Sequence, residues 1–479
     1  MDSLLVGGGD VESGQERWNR LRGFRQDVYA AMTARADGLF ELVDAMLCDD
    51  RPVHGLAGLS LAPEHRRGHG GLYDAVNHGR IEIGRLRRTL AGLSIPRMDG
   101  QITLAVDISP WPRPAAVTSP QRLYCHRSGR GDDAQMVPGW PYSLVVALQP
   151  GRSSWVAVLD AARLGPGDDV TTVTAGQLRE VVTRLIEAGH WTPGDLPVRL
   201  VMDAGYDVTR LTHLLADLPV VLTGRVRADR IMLGQAPQDQ GGKWGRPARH
   251  GAAMAFARPD THPVPDHQDT ATSERWGTVS ITAWNRLHPR LTRRGPWADH
   301  PGGPFGELPV IEGTAIRLQT ASFARPMWLW ISDPDADADQ ITRAWRAYLR
   351  RFDLEHTFRF FKQTLGWTTP KLRDPDTADR WTWLLIIAHT QLRLALTLTD
   401  DLRHPWERRY PPGRLTPARV RRGFRYLRPK AGLPASAPKP SCPGPGRPPG
   451  TPNRHRAPHH TVGKTPITTQ NERRDPPQG

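Results

Sequence analysis

The chain is poor in cysteine and in lysine. Its three cysteines, Cys48, Cys125 and Cys442, are scattered through 479 residues and form no CxxC pair. This pattern excludes a disulfide framework and a zinc ribbon, and it favours the reducing cytoplasm as the location. Nearly all of the 64 basic residues are arginine, and lysine occurs at only six positions. Each lysine is therefore unusual in this sequence.

Long hydrophobic runs are also missing. The first residues are acidic and contain one short apolar run, so no signal peptide is expected. The most apolar later stretch, residues 383–388, is soon followed by His389, Gln391 and Arg393. A membrane-spanning helix needs about 20 apolar residues. This stretch therefore predicts a buried helix, and no membrane partner is expected.

Negative charge is in deficit. The formal net charge is +15 and the isoelectric point is about 10.4. Such an excess predicts a polyanionic partner such as DNA, because cationic side chains that neutralise phosphates release the bound counterions. The alternative is a basic tail on an otherwise ordinary enzyme. Arginines are spread along the whole chain, however, and this favours the nucleic-acid interpretation.

The two ends of the chain differ in pattern. Helical periodicity over 18–49 and 71–94 predicts a helical N-terminal domain at residues 1–96. The pattern leaves open whether this domain binds DNA or is a scaffold with solvated arginines. A short helical segment is predicted over 401–428. Residues 429–479 are rich in Pro, Gly, Ser and basic side chains, cannot bury a core and are predicted to be disordered.

Between these ends, residues 97–400 combine apolar strands with amphipathic helices. Strands are predicted at 101–107, 142–148, 155–160, 198–203, 220–223 and 326–332, and helices at 174–189, 208–217, 339–365 and 376–398. This order predicts an α/β domain with a mixed sheet. Residues 226–325, rich in Gly, Pro and Arg, interrupt the alternation and are predicted to form a β-rich insertion.

Two acidic residues follow apolar strand patterns. Asp107 and Asp203 would each be held at the rim of a sheet, open to solvent and to a metal ion. Either residue alone could equally be a cap or a turn acid. Gly205 would allow a sharp turn after Asp203. Asp207, which precedes the helix predicted from 208, is interpreted as its N-cap.

The helix predicted at 339–365 carries four polar side chains on one face. At about 100° per residue, Tyr348, Arg351, Glu355 and Lys362 fall within an arc of roughly 60°. A solvated amphipathic helix would also show a polar face. Aromatic residues crowd the flanks of this one, however, and Lys362 is one of the few lysines. An ammonium group is a compact charge suited to a phosphate in a tight site.

The ordered set of acids and helix residues resembles DDE-type bacterial insertion-sequence transposases of the cut-and-paste group. Their signature is Tyr, two residues, Arg, three residues, Glu, six residues and Lys, and the four helix residues match it at every spacing. Asp107 corresponds to the first Asp of that group. Asp203 lies in the D-x-G-Y context of the second. The resemblance covers about 97–400.

The resemblance implies a ribonuclease-H-like catalytic core and a function in cutting element ends and joining them to target DNA. It implies two Mg²⁺ ions, for which Mn²⁺ can substitute, bound by Asp107, Asp203 and Glu355. It also implies that phosphates near the terminal nucleotide are bound by Tyr348, Arg351 and Lys362. Such enzymes generally act as dimers or higher assemblies on paired DNA ends.

Some alternatives stay open at this point. Trp244 and Trp284 are candidates for stacking on a flipped base, although burial in a β core would explain either one. At the level of function, a related nuclease could cut without joining. A domesticated or inactive derivative could bind DNA without cutting it.

Overall fold

The protein is described here from a computed structural model. The structure describes residues 13–128, 135–151, 154–237, 248–273, 275–303, 306–411, 413–439, 450 and 456–463. The helices of these residues are, in chain order, α1 (Gly14–Ala31), α2 (Ala36–Cys48), α3 (Leu56–Leu59), α4 (Gly68–His78), α5 (Ile83–Ala91), α6 (Val170–Glu187), α7 (Val208–Leu214), α8 (Ala338–Arg350), α9 (Phe352–Gln363), α10 (Pro375–Ala395) and α11 (Pro417–Ala431). In this part of the chain, no helix combines the length and the apolar character needed to cross a membrane.

Fifteen strands occur in the same residues. They are β1 (Met32–Ala34), β2 (Arg80–Ile81), β3 (Arg97–Met98), β4 (Gln101–Pro112), β5 (Leu123–Ser128), β6 (Gln135–Leu148), β7 (Val156–Arg163), β8 (Val198–Met202), β9 (Val220–Val226), β10 (Ile231–Leu233), β11 (Ala253–Ala255), β12 (His267–Ser273), β13 (Gly277–Leu287), β14 (Gly313–Thr320) and β15 (Met327–Ile331).

One large mixed sheet organises the molecule. Its central strands lie in the order β7–β6–β4–β8–β9, in which β4, β8 and β9 are parallel and β6 is antiparallel to both of its neighbours. The parallel strands are connected through α6 and α7, as strand–helix–strand connections require. The α/β class and the mixed sheet are consistent with the ribonuclease-H-like core expected from the sequence.

Helices cover both faces of this sheet, because alternate residues of its strands point to opposite sides. On β6, Val145 and Ala147 pack with the apolar side of α6, while Leu144 and Val146 belong to the core that contains α9 and α10. This second core also includes α1, α2 and α11. The N-terminal helices thus pack against α10 and α11.

The region predicted as a β-rich insertion does not stand apart from the sheet. Strands β12, β13 and β14 pair in sequence, and β14 pairs with β15, which pairs in turn with β9. The region therefore extends the central sheet through antiparallel neighbours. Only the short pair β10–β11 forms a separate ladder among the described strands in this region.

Part of the tail predicted to be disordered has a defined position. Within residues 456–463, the backbone N–H of Gly463 donates to the carbonyl oxygen of Arg122 at 2.6 Å. The guanidinium of Arg122 donates to the carbonyl oxygen of His460 at 3.0 Å. Arg122 is buried, and a buried guanidinium needs acceptors for its donors. The passing tail supplies one of them, a long-range contact that tail composition does not reveal.

Candidate active site

The sequence pattern predicted a strand that ends at Asp107. In the structure, Asp107 lies inside β4, which is longer than predicted. Strand β4 continues to Pro112 because the long β6 pairs with it throughout, with Asp107 opposite Leu144. Its other edge is paired with β8 only as far as Ala105. Beyond Ala105 this edge has no partner strand among the described residues, so Pro110 and Pro112, which have no backbone N–H, cost no hydrogen bond there. Asp107 lies beside this unpaired edge, and its side chain is 22% exposed.

Asp203 directly follows β8 and lies at the same edge of the sheet. Because β4 and β8 are parallel neighbours, the carboxylate after β8 comes close to the carboxylate beyond the paired part of β4. Asp207 has a different role, because its side chain accepts from the backbone N–H of Arg210 at 3.0 Å and caps α7. The predicted N-cap role of Asp207 is therefore confirmed.

The helix predicted at 339–365 is present as two helices that meet at Arg351. The residue keeps helical torsions, with φ −50° and ψ −29°. Its backbone N–H is shared between the carbonyl oxygens of Ala347 and Tyr348, at 3.2 and 3.1 Å. A locally tightened turn of this kind shifts the helical register slightly without ending the common face. Tyr348 therefore lies on α8 and Glu355 on α9, on either side of Arg351.

The guanidinium of Arg351 connects all three predicted acids. Its Nη1 lies 2.7 Å from Oδ2 of Asp107, and its Nη2 lies 3.0 Å from Oε1 of Glu355 and 3.6 Å from Oδ2 of Asp203. The hydroxyl of Tyr348 donates to the other oxygen of Asp203 at 3.1 Å. The structure thus brings together five of the six residues that the sequence singled out.

These groups differ in exposure. The side chain of Arg351 is 9% exposed, whereas those of Asp203 and Glu355 are 38% and 39% exposed. Burial raises the pKa of Asp107, and the neighbouring Arg351 opposes this effect. Burial lowers the pKa of Arg351. The surrounding carboxylates, led by Asp107, raise this pKa by more than burial lowers it, so that it stays above its usual range. The arginine is therefore permanently charged.

Lys362 lies farther along α9. It is seven positions after Glu355, which corresponds to roughly 10 Å along a helix axis. Its ammonium lies 5.8 Å from the ring centroid of Trp367, and burial lowers its pKa. Cys125 of β5 is close enough to oppose that shift. Lys362 shares the predicted helix but does not contact the acid cluster.

Tyr206 is a site neighbour that the sequence reasoning used only as motif context. Burial, followed by the charge of Asp107, raises the pKa of its hydroxyl well above the usual value. In the D-x-G-Y motif, Tyr206 follows Asp203 by three positions. This spacing is the feature of the sequence that could have indicated a place for Tyr206 near the acids. Tyr206 forms part of the wall beside Asp107.

The tryptophans proposed for base stacking have different outcomes. Trp284 is buried, stacks on Trp328 and donates its indole N–H to the carbonyl oxygen of Pro263 at 2.9 Å. In this structure it is a core residue and not an open stacking platform. Trp244 lies outside the described residues. His356, beside Glu355, packs edge-to-face against Phe352 and takes no part in the acid cluster.

The donor set is chemically suited to a hard divalent ion. Carboxylate oxygens are the ligands that Mg²⁺ and Mn²⁺ prefer, and the three carboxylates face the guanidinium of Arg351. Among the described residues, however, no group of three acidic, histidine or cysteine side chains has the spacing to hold a metal ion. The guanidinium of Arg351 lies between the three acids. Asp107, Asp203 and Glu355 therefore fit a metal ion by the chemistry of their oxygens, but not by their spacing in this structure.

A known protein family matches part of the chain. Residues 27–290, more than half of the chain, match the family model described as DDE superfamily endonuclease. The matched segment contains Asp107 and Asp203 and ends before α8 and α9. No match was found among curated proteins.

Proposed function

The chain belongs to the DDE superfamily endonucleases, and from this membership we propose that it is a DNA transposase of the cut-and-paste type. It would cleave phosphodiester bonds at the ends of a mobile element and join those ends to target DNA. The observation that carries this proposal is the convergence of Tyr348, Arg351 and Glu355 on Asp107 and Asp203. Of the site residues, the family match covers the two aspartates. The helix residues of the transposase signature lie outside the match, and their contacts with the aspartates support the proposal.

The protein's own residues have separable tasks in this proposal. Asp107, Asp203 and Glu355 would hold divalent ions, and the resemblance to such transposases implies two of them. When bound, these ions supply the Lewis acidity that activates the attacking hydroxyl and stabilises the leaving oxygen. The two aspartates are fixed by the sheet, and the hydroxyl of Tyr348 orients Asp203 by a hydrogen bond. The phenol acts by orientation and by contact with DNA, because this chemistry needs no covalent protein intermediate.

The remaining site residues would contact the substrate. Arg351 directly precedes α9 and Lys362 lies near its end, and we expect both to bind phosphates of one bound strand. The net charge of +15 supplies the long-range attraction to DNA. Paired DNA ends require at least two active sites, so we expect a homodimer or a higher assembly that acts on DNA in the cytoplasm.

The test uses the full chain and DNA carrying the repeats that flank its gene. We expect strand cleavage with Mg²⁺ or Mn²⁺ and none with a chelator. Asp107→Asn, Asp203→Asn and Glu355→Gln should each reduce the cleavage rate by at least about 10³-fold, or roughly 4 kcal/mol of barrier. Asp207→Asn is the matched control, because asparagine also caps a helix well and should leave cleavage intact.

A second substrate separates transposition from its alternatives. Pre-cut ends with a free 3′-hydroxyl are incubated with plasmid DNA, and we expect covalently joined products. Cleavage of intact ends without any joined product would instead identify a nuclease. Binding of the ends without metal-dependent cleavage would identify a DNA-binding derivative of such an enzyme. Full cleavage by any of the three acid variants would contradict the role of that residue.

A further inference from the structure

The acid cluster has too little positive charge for its number of carboxylates. Each ion pair recorded for Asp107, Asp203 and Glu355 in the described residues is made with Arg351. One guanidinium therefore pairs with three carboxylates, so that carboxylates outnumber cations among these ion pairs. Burial around Asp107 makes this excess costly, since charge repulsion is stronger away from bulk water.

The guanidinium of Arg351 donates hydrogen bonds to carboxylate oxygens that would also be ligands of a metal ion. It bonds to Oδ2 of Asp107 at 2.7 Å and to Oε1 of Glu355 at 3.0 Å. A divalent ion at about 2.0–2.6 Å from the same oxygens would stand in nearly the same space. The two cations would also repel each other. Arg351 and a metal ion thus compete for one position.

We infer that Arg351 is a built-in placeholder that holds the three acids together in the metal-free protein and leaves when divalent ions bind. This inference rests on the proposed function. The side chain lies at the junction of α8 and α9, with its guanidinium 5.9 Å from the ring centroid of Tyr348. Once displaced, its planar fork of donors matches a phosphate group. Metal binding would therefore both complete the acid site and release a phosphate-binding arginine.

Metal affinity measured without DNA tests this exchange directly. Mn²⁺ binding is followed from the free-ion signal in electron paramagnetic resonance, with wild type, Arg351→Met and Arg359→Met. Arg359 is an exposed arginine two turns farther along α9 and serves as the matched control. We expect Arg351→Met to bind Mn²⁺ at least about tenfold more tightly than wild type. A competent state populated at 10% or less in wild type weakens apparent affinity by that factor.

The sign of the change separates the placeholder from a merely structural residue. If Arg351 only positioned the carboxylates, its removal would scatter them and weaken Mn²⁺ binding. Unchanged or weaker binding by Arg351→Met would therefore overturn the inference. Arg351→Lys adds a second test, because it retains the charge but lacks the fork that spans two carboxylates. We expect it to bind Mn²⁺ more tightly than wild type, and wild-type affinity would show that charge alone is responsible.

Thermal melting keeps the test decisive if the methionine variant is poorly folded. Without metal, Arg351→Met should melt below wild type, and saturating Mn²⁺ should raise its melting temperature by more than it raises that of wild type or Arg359→Met. An equal Mn²⁺-induced rise in all three proteins would count against the inference. A wild type that cuts DNA without these metal effects would refute the placeholder alone. These metal effects without any cleavage would refute the proposed function alone.

Discussion

Two arginine–carboxylate clusters in this protein use the same chemistry for opposite purposes. In the helical region, Arg25 and Asp44 are fully buried and form a two-pronged pair at 2.8 and 3.0 Å. Arg25 also donates to Gln391 and to the carbonyl oxygen of Gly432, and Arg428 adds a second cation on Asp44. This cluster has two cations for one anion and joins α1, α2, α10 and α11.

In the cluster at the sheet edge, acids outnumber cations. Arg351 is the cation for three acids, two of which are more than a third exposed. The helical cluster is closed, with its partners supplied by the protein. The sheet-edge cluster is open, and among the described residues its three acids form ion pairs with Arg351 alone. Charge stoichiometry and exposure therefore separate a structural ion pair from a candidate metal site, although both contain a buried arginine.

Removal of the acid of the closed cluster should have the largest effect on stability. Asp44→Asn leaves Arg25 and Arg428 without their carboxylate in a buried setting. Loss of one partner of a buried pair typically costs about 3–5 kcal/mol, and we expect the free energy of unfolding in urea to fall by that amount. Asp50→Asn is the control, because Asp50 is exposed and pairs with Arg425 at the surface. A loss below about 1 kcal/mol for Asp44→Asn would contradict the structural role.

The two clusters also differ in how far the sequence predicts them. The convergence of Tyr348, Arg351 and Glu355 follows from local helix geometry, which spacing alone reveals. The position of Asp107 within its strand depends on how far β6 pairs with β4, and that is set by long-range contacts. The same holds for Arg25 and Asp44, whose partners come from distant helices. Local periodicity predicts which side chains share a face, but not which segment covers them.

A second, smaller effect concerns a histidine in the helical region. His389 on α10 is buried against Trp155 and Phe361, and burial lowers its pKa from 6.5 to about 3. Because the pKa of His389 is lower in the folded protein than in the unfolded chain, protonation of His389 favours unfolding. The free energy of unfolding therefore keeps its full value above about pH 6.5. It falls as the pH decreases towards 3. Each pH unit in this window costs about 1.4 kcal/mol, so we expect a loss of about 2 kcal/mol between pH 7 and pH 5.

Urea unfolding at both pH values measures this contribution. His389→Phe cannot titrate, and its free energy of unfolding should fall less between pH 7 and pH 5 than that of wild type. His78→Gln is the control, because His78 is exposed and pairs with Asp74 at the surface. An identical pH dependence in wild type and His389→Phe would show that the imidazole is accommodated in its charged form.

The smallest expected change comes from neutralising an acid of the open cluster. Glu355→Gln keeps the shape of the side chain, loses a partly exposed pairing with Arg351 and removes one of three mutually repelling charges. Partly exposed ion pairs contribute roughly 0–1 kcal/mol, and the relief of repulsion acts in the opposite direction. We therefore expect the metal-free free energy of unfolding to change by less than about 1 kcal/mol, measured under the conditions used for Asp44→Asn. A loss of 3 kcal/mol or more would mean that Glu355 is a structural anchor like Asp44. The contrast in charge stoichiometry would then no longer distinguish the two clusters, whereas a near-neutral change would show that the open cluster keeps its acids for a ligand and not for the fold.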